Sequence, residues 1–332
     1  MIEQPFNIGN VEIRNRAVLA PMSGISDLPF RRLAWRHGAG LVVTEMVASR
    51  ELVCDRKESW SRLRGEGISP HMVQLAGREA RWMDEAARIA EANGADIIDI
   101  NMGCPAKKVT GGYSGSALMR DLDHAIELID ATVRAVSVPV TVKMRLGWDE
   151  SSINAPELAR RAEQSGARMI TVHGRTRSQF YKGRADWAAI RAVREAISVP
   201  LVANGDVESR RDMERIVSLS GADAVMVGRG AQGRPWLVGQ LAGHDSAPSS
   251  PDAILDLVIE HYAMNLEHHG PEVGVRHFRK HLGWYLALHA SDCPSDLKAR
   301  IMTGTDHEAV VRDLRQAFDT RCDGIQPGRA AA

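Results

Sequence analysis

The stretch NGADIIDIN, residues 93–101, is the pattern that predicts the fold of this chain. It places Gly-Ala before a short apolar run that ends in polar residues. A glycine at the start suits the position just after a helix, where φ is often positive. A short apolar run containing β-branched residues is typical of a strand covered on both faces, as in a parallel sheet.

The same pattern occurs four times along the chain. The other copies are HGAGLVVTE (37–45), SGARMITVH (165–173) and SGADAVMVG (220–228). Four further apolar runs alternate with them: RAVLAPM (16–22), HMVQLAG (71–77), VPVTVKMR (138–145) and VPLVANGD (199–206). Helical periodicity separates these runs, so we predict eight strands, each followed by a helix, in a (β/α)8 TIM barrel. A doubly wound sheet is the alternative, but no GxGxxG turn follows the first strand.

The character of the sequence changes after the predicted barrel, which we assign to residues 1–242. The Ser- and Pro-rich residues 243–253 are predicted to be a linker. Residues 254–322 have helical periodicity and predict a small C-terminal helical domain. The last residues, 323–332, are predicted to be a disordered tail.

The composition is that of a globular protein rather than a polyelectrolyte. Of 332 residues, 44% are hydrophobic and 25% charged, and the formal net charge is zero. Any nucleic acid must therefore be held by a local patch. The four cysteines form no CxxC pair, so we expect reduced thiols, no metal site and a cytoplasmic location. We find no signal peptide and no apolar run of about 18 residues, and expect no membrane span.

Polar residues lie where the predicted strands end, at the face that carries the active site in TIM barrels. In strand order they are Pro21, Met22 and Ser23; Glu45; Gln74; Asn101 and Cys104; Lys143 and Arg145; His173 and Arg175; Asn204, Gly205 and Asp206; Gly228 and Arg229. Lys143 would be costly to bury unpaired, so it faces either a ligand or a structural ion pair with Glu45 or Asp99. Gln74 and His173 have structural alternatives as well, as a core hydrogen bond and a core histidine.

Two glycine-containing turns, NGD (204–206) and GRG (228–230), end the last two strands. TIM barrels commonly bind phosphate there, on backbone N–H groups. Arg229 could add a charged hydrogen-bond donor. Together the two turns indicate a phosphorylated cofactor.

These residues, taken in order, resemble the tRNA-dihydrouridine synthases, and most closely the bacterial DusB (NifR3-like) branch. The matching stretches are LAPMSGISDLPFR (19–31), VQLAG (73–77), DINMGCPAKKV (99–109), GSALM (115–119), VKMRLGW (142–148), TVHGRTR (171–177), ANGDV (203–207) and VMVGRGAQGRPW (225–236). They cover most of the barrel, and Asn-x-Gly-Cys-Pro is the most specific of them. The C-terminal helices are similar to the RNA-binding domain of that family only loosely.

The resemblance implies an oxidoreductase that reduces the C5–C6 double bond of particular uridines in tRNA, with FMN as cofactor and NADPH as reductant. It places FMN against Pro21, Met22, Ser23, Gln74, Lys143, His173, Asn204, Gly205, Asp206, Gly228 and Arg229. It places Asn101, Arg145 and Arg175 near the uracil. The DusB branch suggests position 17 of the tRNA.

The implied reaction passes a hydride from N5 of reduced FMN to C6 of the uracil, and a proton from Cys104 to C5. A thiol with an ordinary pKa of about 8.5 is mostly protonated near neutral pH, so this site should not depress the pKa of Cys104. Lys143 would stabilise the negative charge of the reduced flavin. An inert, partly buried thiol is the alternative for Cys104.

RNA contacts are predicted on both domains. Arg276, Arg279 and Lys280 share one helix face in GVRHFRKHLGWY (274–285), where Trp284 and Tyr285 could stack on bases. Lys107, Lys108 and Arg177 could contact RNA from the barrel. From residue 251 onward, nine Lys and Arg stand against twelve Asp and Glu, so an ordinary solvated helix remains an alternative.

Two other functions are compatible with parts of the pattern. An FMN barrel that reduces a free pyrimidine, like the dihydroorotate dehydrogenases, would explain the flavin residues but not the helical domain. A non-catalytic RNA-binding barrel would need no flavin. The partners we expect are tRNA and NADPH, with no membrane and no obligate protein partner.

Overall fold

The structure is a computed structural model, and it describes residues 2–245 and 247–319. It divides into two compact units. The first comprises Met1–Ala231 and Trp236–Ser246, and the second comprises Gln232–Pro235 and the chain from Ala247 onward. The predicted tail, 323–332, lies outside the described residues, as does the predicted end of the helical domain at residue 322.

Nine parallel strands form the sheet of the first unit, and a two-stranded antiparallel hairpin precedes them. The hairpin is β1 (Phe6–Ile8) and β2 (Val11–Ile13). The sheet strands are β3 (Ala17–Leu19), β4 (Leu41–Val42), β5 (Val47–Ala48), β6 (Met72–Ala76), β7 (Ile97–Met102), β8 (Val140–Arg145), β9 (Ile170–His173), β10 (Leu201–Asn204) and β11 (Ala224–Val227).

The sheet closes on itself, which confirms the predicted TIM barrel. β11 pairs with β3, and β3 pairs with β4. A parallel bridge joins Val43 to Met72, and β5 pairs with β6 further along. The predicted second strand, 37–45, contains only β4, and β5 follows just beyond its predicted end; the two short strands together fill one of the eight positions in the barrel.

Helices follow the strands and pack on the outside of the barrel. They are α1 (Leu28–Arg36), α2 (Ser49–Val53), α3 (Lys57–Leu63), α4 (Ala80–Ala92), α5 (Lys107–Thr110), α6 (Leu122–Ala135), α7 (Ala155–Gln164), α8 (Arg191–Ala196), α9 (Arg210–Ser220) and α10 (Leu237–Leu241), with short 3₁₀ helices at Gly115–Arg120 and Arg229–Ala231. Local signals set their ends: Ser209 accepts a hydrogen bond from the Asp212 amide at the start of α9, and Gly221 ends that helix at φ +69°.

The strands alternate between two apolar cores. In β8, Val140, Val142 and Met144 pack outward against the helices, so Thr141 and Lys143 face the barrel interior. The interior core is apolar at the amino-terminal ends of the strands, with Leu41, Met72, Ile97, Met169 and Ala224 among its members. At the carboxyl ends the inward side chains become polar, so any solvated or ligand-bound site must lie at that end.

The hairpin β1–β2 supplies part of the interior core, a feature that the sequence analysis did not predict. Phe6, Ile8 and Ile13 belong to the same apolar cluster as the inward residues of the strands. Ile8 and Ile13 are fully buried. The hairpin therefore closes the amino-terminal end of the barrel and leaves the carboxyl end for the site.

The second unit is helical. It contains α11 (Pro251–His269), α12 (Pro271–His289), α13 (Ser295–Thr303) and α14 (His307–Asp319). The start of α11 lies within the predicted linker, and Ser250 caps it by accepting from the Ala253 amide at 3.1 Å. Its core includes Tyr262, Phe278 and Tyr285. Because Tyr285 is fully buried, it cannot stack on a base in this conformation, contrary to the prediction.

Candidate functional site

Cys104 lies in the turn that follows β7, with its backbone held on both sides. The Asn101 side-chain oxygen accepts hydrogen bonds from the amides of Gly103 (3.2 Å) and Cys104 (2.9 Å). The Cys104 carbonyl accepts from the Ser116 amide (3.1 Å) and hydroxyl (2.9 Å). Gly115 must be glycine here, because it has φ +61° and a Cβ would lie 2.8 Å from the Cys104 oxygen.

The Cys104 side chain is half-buried in an environment that favours the neutral thiol. Burial raises its pKa above the ordinary value, although a hydrogen bond from the Ala106 amide and the charges of Arg145 and Lys143 oppose the rise. This direction agrees with the expectation that the site does not depress the thiol pKa. At neutral pH such a group holds a proton that it can donate.

Gln74 and Asn101 lie on adjacent strands and are joined by a hydrogen bond. Asn101 Nδ2 donates to Gln74 Oε1 at 2.7 Å, and Gln74 Nε2 donates to Asp99 Oδ2 at 2.6 Å. Both amides are buried. Asp99 also accepts from the Thr141 hydroxyl at 2.6 Å.

Lys143 faces the barrel interior without an ion pair among the described residues. Its ammonium donates to Asn204 Oδ1 at 3.2 Å, and Asn204 in turn donates to the Met226 carbonyl at 2.8 Å. Burial lowers the pKa of Lys143 to about 8, with a further lowering from the charge of Arg145 and an opposing effect from Asp99. The predicted alternative of a direct ion pair with Glu45 or Asp99 is not what the structure contains.

His173 ends β9 beside several cations. Burial first, and then the charges of Lys143, Arg145, Arg175 and Arg229, hold its pKa well below the ordinary histidine value. The imidazole is therefore neutral. Arg175 Nη1 lies 3.2 Å from its Nε2, which makes Nε2 the acceptor of that hydrogen bond.

Asp206 links two of the predicted arginines. Arg175 binds it through both Nη atoms, at 2.9 and 2.6 Å, and Arg229 Nη2 lies 3.1 Å from its Oδ1. Burial alone would raise the pKa of Asp206, but these hydrogen bonds, the Ala185 amide and the two positive charges lower it instead. Asp206 has φ +53°, a conformation that aspartate tolerates better than most residues.

The two arginines predicted near the uracil differ in how their donors are used. All five N–H donors of Arg175 are engaged, with His173, Asp206 and the carbonyls of Lys182 and Gly183. Arg145 donates to the carbonyls of Gly103, Thr176 and Phe180 through Nε and Nη1. Its Nη2 has no hydrogen-bond partner among the described residues, so Arg145 retains donors for a ligand.

The remaining predicted cofactor residues line the same end of the barrel. Pro21 and Met22 are half-buried and Ser23 is exposed, directly after β3. A Cβ on Gly228 would meet only Ala20 and Met22, each at 3.8 Å, so there is space beside it. Gly205 is more restricted, because its carbonyl accepts from Trp187 Nε1 at 2.8 Å and a Cβ would lie 2.6 Å from Ala185.

The predicted RNA-contact residues are mostly exposed. Lys107 and Lys108 are exposed on α5, next to the Cys104 turn, and Arg177 is half-buried with its guanidinium 4.5 Å from the Trp148 ring centre. In the helical unit, Arg276 and Lys280 are exposed. Arg279 is half-buried and donates to the Thr303 carbonyl at 3.1 Å.

The sequence model of the family described as dihydrouridine synthase matches residues 18–322 of this chain. The chain belongs to the dihydrouridine synthase family. The resemblance noted from the motifs is thereby confirmed, and with it the expected oxidoreductase class.

Members of the dihydrouridine synthase family match over nearly the whole chain. A probable tRNA-dihydrouridine synthase of Rhizobium leguminosarum bv. phaseoli is 65% identical over 322 residues, covering 97% of this chain and 100% of the relative. One of Rhodobacter capsulatus is 53% identical, covering 95% and 98%. The tRNA-dihydrouridine synthase B of Pseudomonas aeruginosa is 42% identical, covering 95% and 96%.

Solved structures that resemble this dihydrouridine synthase chain support the fold. A morphinone reductase variant in complex with tetrahydroNAD superimposes with a TM-score of 0.56 at 15% identity, covering 76% of this chain and 93% of the other. At this identity the likeness establishes the barrel alone.

Among the described residues, no helix is long and apolar enough to cross a membrane.

Two residues of this site were not among those predicted to act in it. Asp99 was considered only as an ion-pair partner for Lys143, although its spacing of two from Asn101 on a strand places both on one face. Ser116 holds the Cys104 carbonyl from a segment twelve residues away. The strand periodicity could have identified Asp99, whereas nothing in the local sequence indicates the contact of Ser116.

Proposed function

We propose that this chain is a tRNA-dihydrouridine synthase that binds FMN, is reduced by NADPH, and reduces the C5–C6 double bond of specific uridines in tRNA. Membership of the family supports the reaction class. The observation that carries the proposal is the placement of the Cys104 thiol, kept protonated and fixed at the carboxyl end of a barrel whose inner face becomes polar there.

The polar inner face fits a flavin better than it fits a packed core. Lys143 is half-buried and desolvated without an ion pair among the described residues, which is costly unless a ligand carries or develops negative charge beside it. The Thr171 hydroxyl, which lies level with Lys143 on the neighbouring strand, is buried and has no partner in the described part of the chain. Both observations indicate a polar ligand inside the barrel, at the carboxyl ends of the strands.

We assign the predicted cofactor residues to different parts of such a ligand. Lys143, His173, Asn204 and Gln74 would hold the ring, with Pro21, Met22 and Ser23 lining it. Gly205, Gly228 and Arg229 would hold the phosphate, and Asp206 would act by fixing Arg229 rather than by contacting an anion. When bound and reduced, FMN supplies a hydride to C6 of the uracil, and NADPH restores the reduced form.

Cys104 acts as the general acid in this proposal. It donates the thiol proton to C5 as negative charge develops toward C5 and the C4 carbonyl. General acid catalysis of this kind is typically worth about 10²–10⁴-fold in rate. The raised pKa of the thiol suits donation and disfavours a nucleophilic role.

Asn101 and Arg145 would bind the uracil. Asn101 uses one N–H for Gln74 and keeps the second for a carbonyl oxygen of the base. Arg145 keeps the donors of Nη2. Arg175, whose donors are all engaged, is proposed to fix His173 and Asp206 instead of touching the base.

The tRNA would be held by basic residues on both units. On the barrel, Lys107 and Lys108 follow the Cys104 turn directly, and Arg177 lies in the loop after β9. On the helical unit, Arg276 and Lys280 are exposed on α12. Unstacking the target base costs a few kcal/mol, which phosphate contacts of this kind offset. Arg279 would contribute less, because part of its guanidinium is engaged with Thr303.

The decisive experiment compares the two half-reactions in Cys104→Ala. Flavin binding and flavin reduction by NADPH should remain, whereas dihydrouridine formation in tRNA should fall by about 10²–10⁴-fold. Cys54→Ala is the matched control, because Cys54 is an exposed thiol elsewhere on the barrel, and it should be fully active. Full activity of Cys104→Ala would remove Cys104 from the mechanism, and turnover of free uridine or orotate without tRNA would reject the assigned substrate.

A further inference from the structure

Asp99 is a buried acid directly beneath the candidate site. It lies on the inward face of β7, two residues before Asn101, and its side chain is 1% exposed. Its two oxygens each accept one hydrogen bond, Oδ2 from Gln74 Nε2 and Oδ1 from the Thr141 hydroxyl, both at 2.6 Å. Burial raises its pKa, against the lowering effect of these hydrogen bonds and of Lys143.

A continuous series of hydrogen bonds runs from Asp99 to the backbone of Cys104. Gln74 donates to Asp99, Asn101 donates to Gln74 at 2.7 Å, and Asn101 Oδ1 accepts from the Cys104 amide at 2.9 Å. Strand register brings the members together, since Gln74 pairs with Asp99 across β6 and β7. The three side chains are all buried.

The two ends of this series determine the orientation of both amides. The Asp99 oxygen that faces Gln74 accepts a hydrogen bond, and the backbone N–H of Cys104 can only donate. Gln74 must therefore turn its NH₂ group toward Asp99 and its oxygen toward Asn101. Asn101 must then turn its NH₂ group toward Gln74 and its oxygen toward the Cys104 turn. If Gln74 turned the other way, its oxygen would face a carboxylate oxygen.

We propose that Asp99 is a positioning residue for Cys104, acting through Gln74 and Asn101 to hold the backbone of the thiol-bearing turn. The inference rests on the proposed role of Cys104 as proton donor. This role would explain why an acid occupies position 99. A buried carboxylate costs free energy, and an apolar residue would pack there at lower cost. The amide of Cys104 is held only while Asn101 keeps its oxygen toward the turn.

Three substitutions separate positioning from simple core packing. Asp99→Leu keeps the branched outline of the side chain but has no acceptor, so Gln74 loses the partner that fixes its orientation. Asp99→Asn keeps one acceptor oxygen and should preserve much of the arrangement. Thr141→Val is the matched control, because Thr141 bonds the same carboxylate from the same buried layer but lies outside the path to Asn101.

The first readout is kinetic and uses the FMN-loaded protein with tRNA. In Asp99→Leu, the rate of dihydrouridine formation at saturating tRNA should fall by about 10- to 100-fold, the loss expected when a catalytic group is displaced by about 1 Å. The KM for tRNA should stay close to wild type, and flavin reduction by NADPH should fall less than dihydrouridine formation, since Gln74 is also assigned to the flavin ring. Asp99→Asn should recover most of the rate, and Thr141→Val should behave as wild type. The proposal would be overturned if Asp99→Leu and Thr141→Val both slowed flavin reduction and dihydrouridine formation to the same extent.

The second readout is the reactivity of the thiol itself and needs neither tRNA nor turnover. Iodoacetamide labelling of the Cys104 peptide, followed by mass spectrometry, should be faster in Asp99→Leu because the turn is no longer held. Labelling of the exposed Cys54 is the internal reference. Unchanged Cys104 labelling in Asp99→Leu would overturn the proposal, and Asp99→Ala, which also lacks an acceptor, takes its place if the leucine variant does not fold. Because labelling does not depend on the reaction, it tests Asp99 even if Cys104→Ala shows the proton-donor role to be wrong.

Discussion

Lys143 is a half-buried cation whose position suits a ligand better than it suits the folded chain alone. It has one hydrogen bond, to Asn204 at 3.2 Å, and burial lowers its pKa to about 8 from an ordinary 10.5. Keeping it charged at neutral pH therefore costs free energy that apolar residues would not cost. Groups that bind a cofactor or stabilise developing charge commonly have this property.

The cofactor-free protein should become more stable when Lys143 is replaced by methionine. Between pH 8 and 10.5 the unfolded chain binds more protons at this position than the folded chain, so the stability of the wild type rises with pH across that range. Below pH 8 the full cost applies, about 3 kcal/mol for a shift of this size. Lys143→Met should therefore gain up to that amount at pH 7, and the gain should shrink toward pH 10.

Urea denaturation of the cofactor-free wild type and variant at pH 7 and pH 9.5 measures this difference. Lys57→Met is the control, because Lys57 is exposed on α3 and should show no such gain. FMN affinity should fall in Lys143→Met even as stability rises. A variant that is less stable than wild type at pH 7, or one with unchanged FMN affinity, would contradict the role given to Lys143.

At the scale of elements, the hairpin β1–β2 decides which end of the barrel can hold a ligand. Its apolar side chains join the interior core at the amino-terminal ends of the strands, where the inward residues are themselves apolar. The exposed residues of the hairpin, such as Asn7 and Glu12, alternate with buried ones, as expected for a strand with one covered face. The polar layer is thereby left open at the opposite end.

Removing one buried side chain of the hairpin should destabilise the whole barrel. Ile8→Ala should cost about 2–5 kcal/mol, because Ile8 is fully buried against the ends of several strands. Glu12→Ala, on the exposed face of the same hairpin, should change stability by less than about 0.5 kcal/mol. Chemical denaturation measures both, and equal effects of the two substitutions would show that the hairpin does not seal the core.

At the scale of the whole molecule, a net charge of zero leaves tRNA binding to local basic surfaces. α12 presents Arg276 and Lys280, four residues apart on one face and both exposed. Two other residues of α12 have structural roles, since Arg279 donates to Thr303 and Tyr285 is in the core. We therefore expect phosphate contacts from Arg276 and Lys280 rather than from all the predicted residues of this helix.

The double substitution Arg276→Ala with Lys280→Ala should weaken tRNA binding and flatten its salt dependence. Each lost phosphate contact should reduce the slope of log K against log salt by about 1. Flavin reduction by NADPH should be unaffected. Filter binding at several salt concentrations tests this, with Arg88→Ala as the control, since Arg88 is exposed on barrel helix α4 and pairs with Asp84. An unchanged salt slope would exclude this face from the RNA interface.

The order of the barrel strands, the position of the Cys104 turn and the polar character of the strand ends could be predicted from the sequence. Each follows from local properties: the spacing of apolar residues, the glycines before the strands, and polar residues that interrupt apolar runs. The residues of the candidate site were recognisable as a set because a parallel barrel brings all carboxyl strand ends to one face.

Only the tertiary structure decided which of these residues are free to bind and which hold their neighbours. Arg145 and Arg175 have the same predicted role in the sequence, at the ends of β8 and β9. In the structure Arg145 keeps N–H donors for a ligand, whereas all the donors of Arg175 are engaged. Asp99 acquires its importance from Gln74 and Thr141 on the two adjacent strands. The hairpin gains its role by closing the barrel. These outcomes depend on strand register and on contacts between residues distant in the chain, and a local pattern carries no information about either.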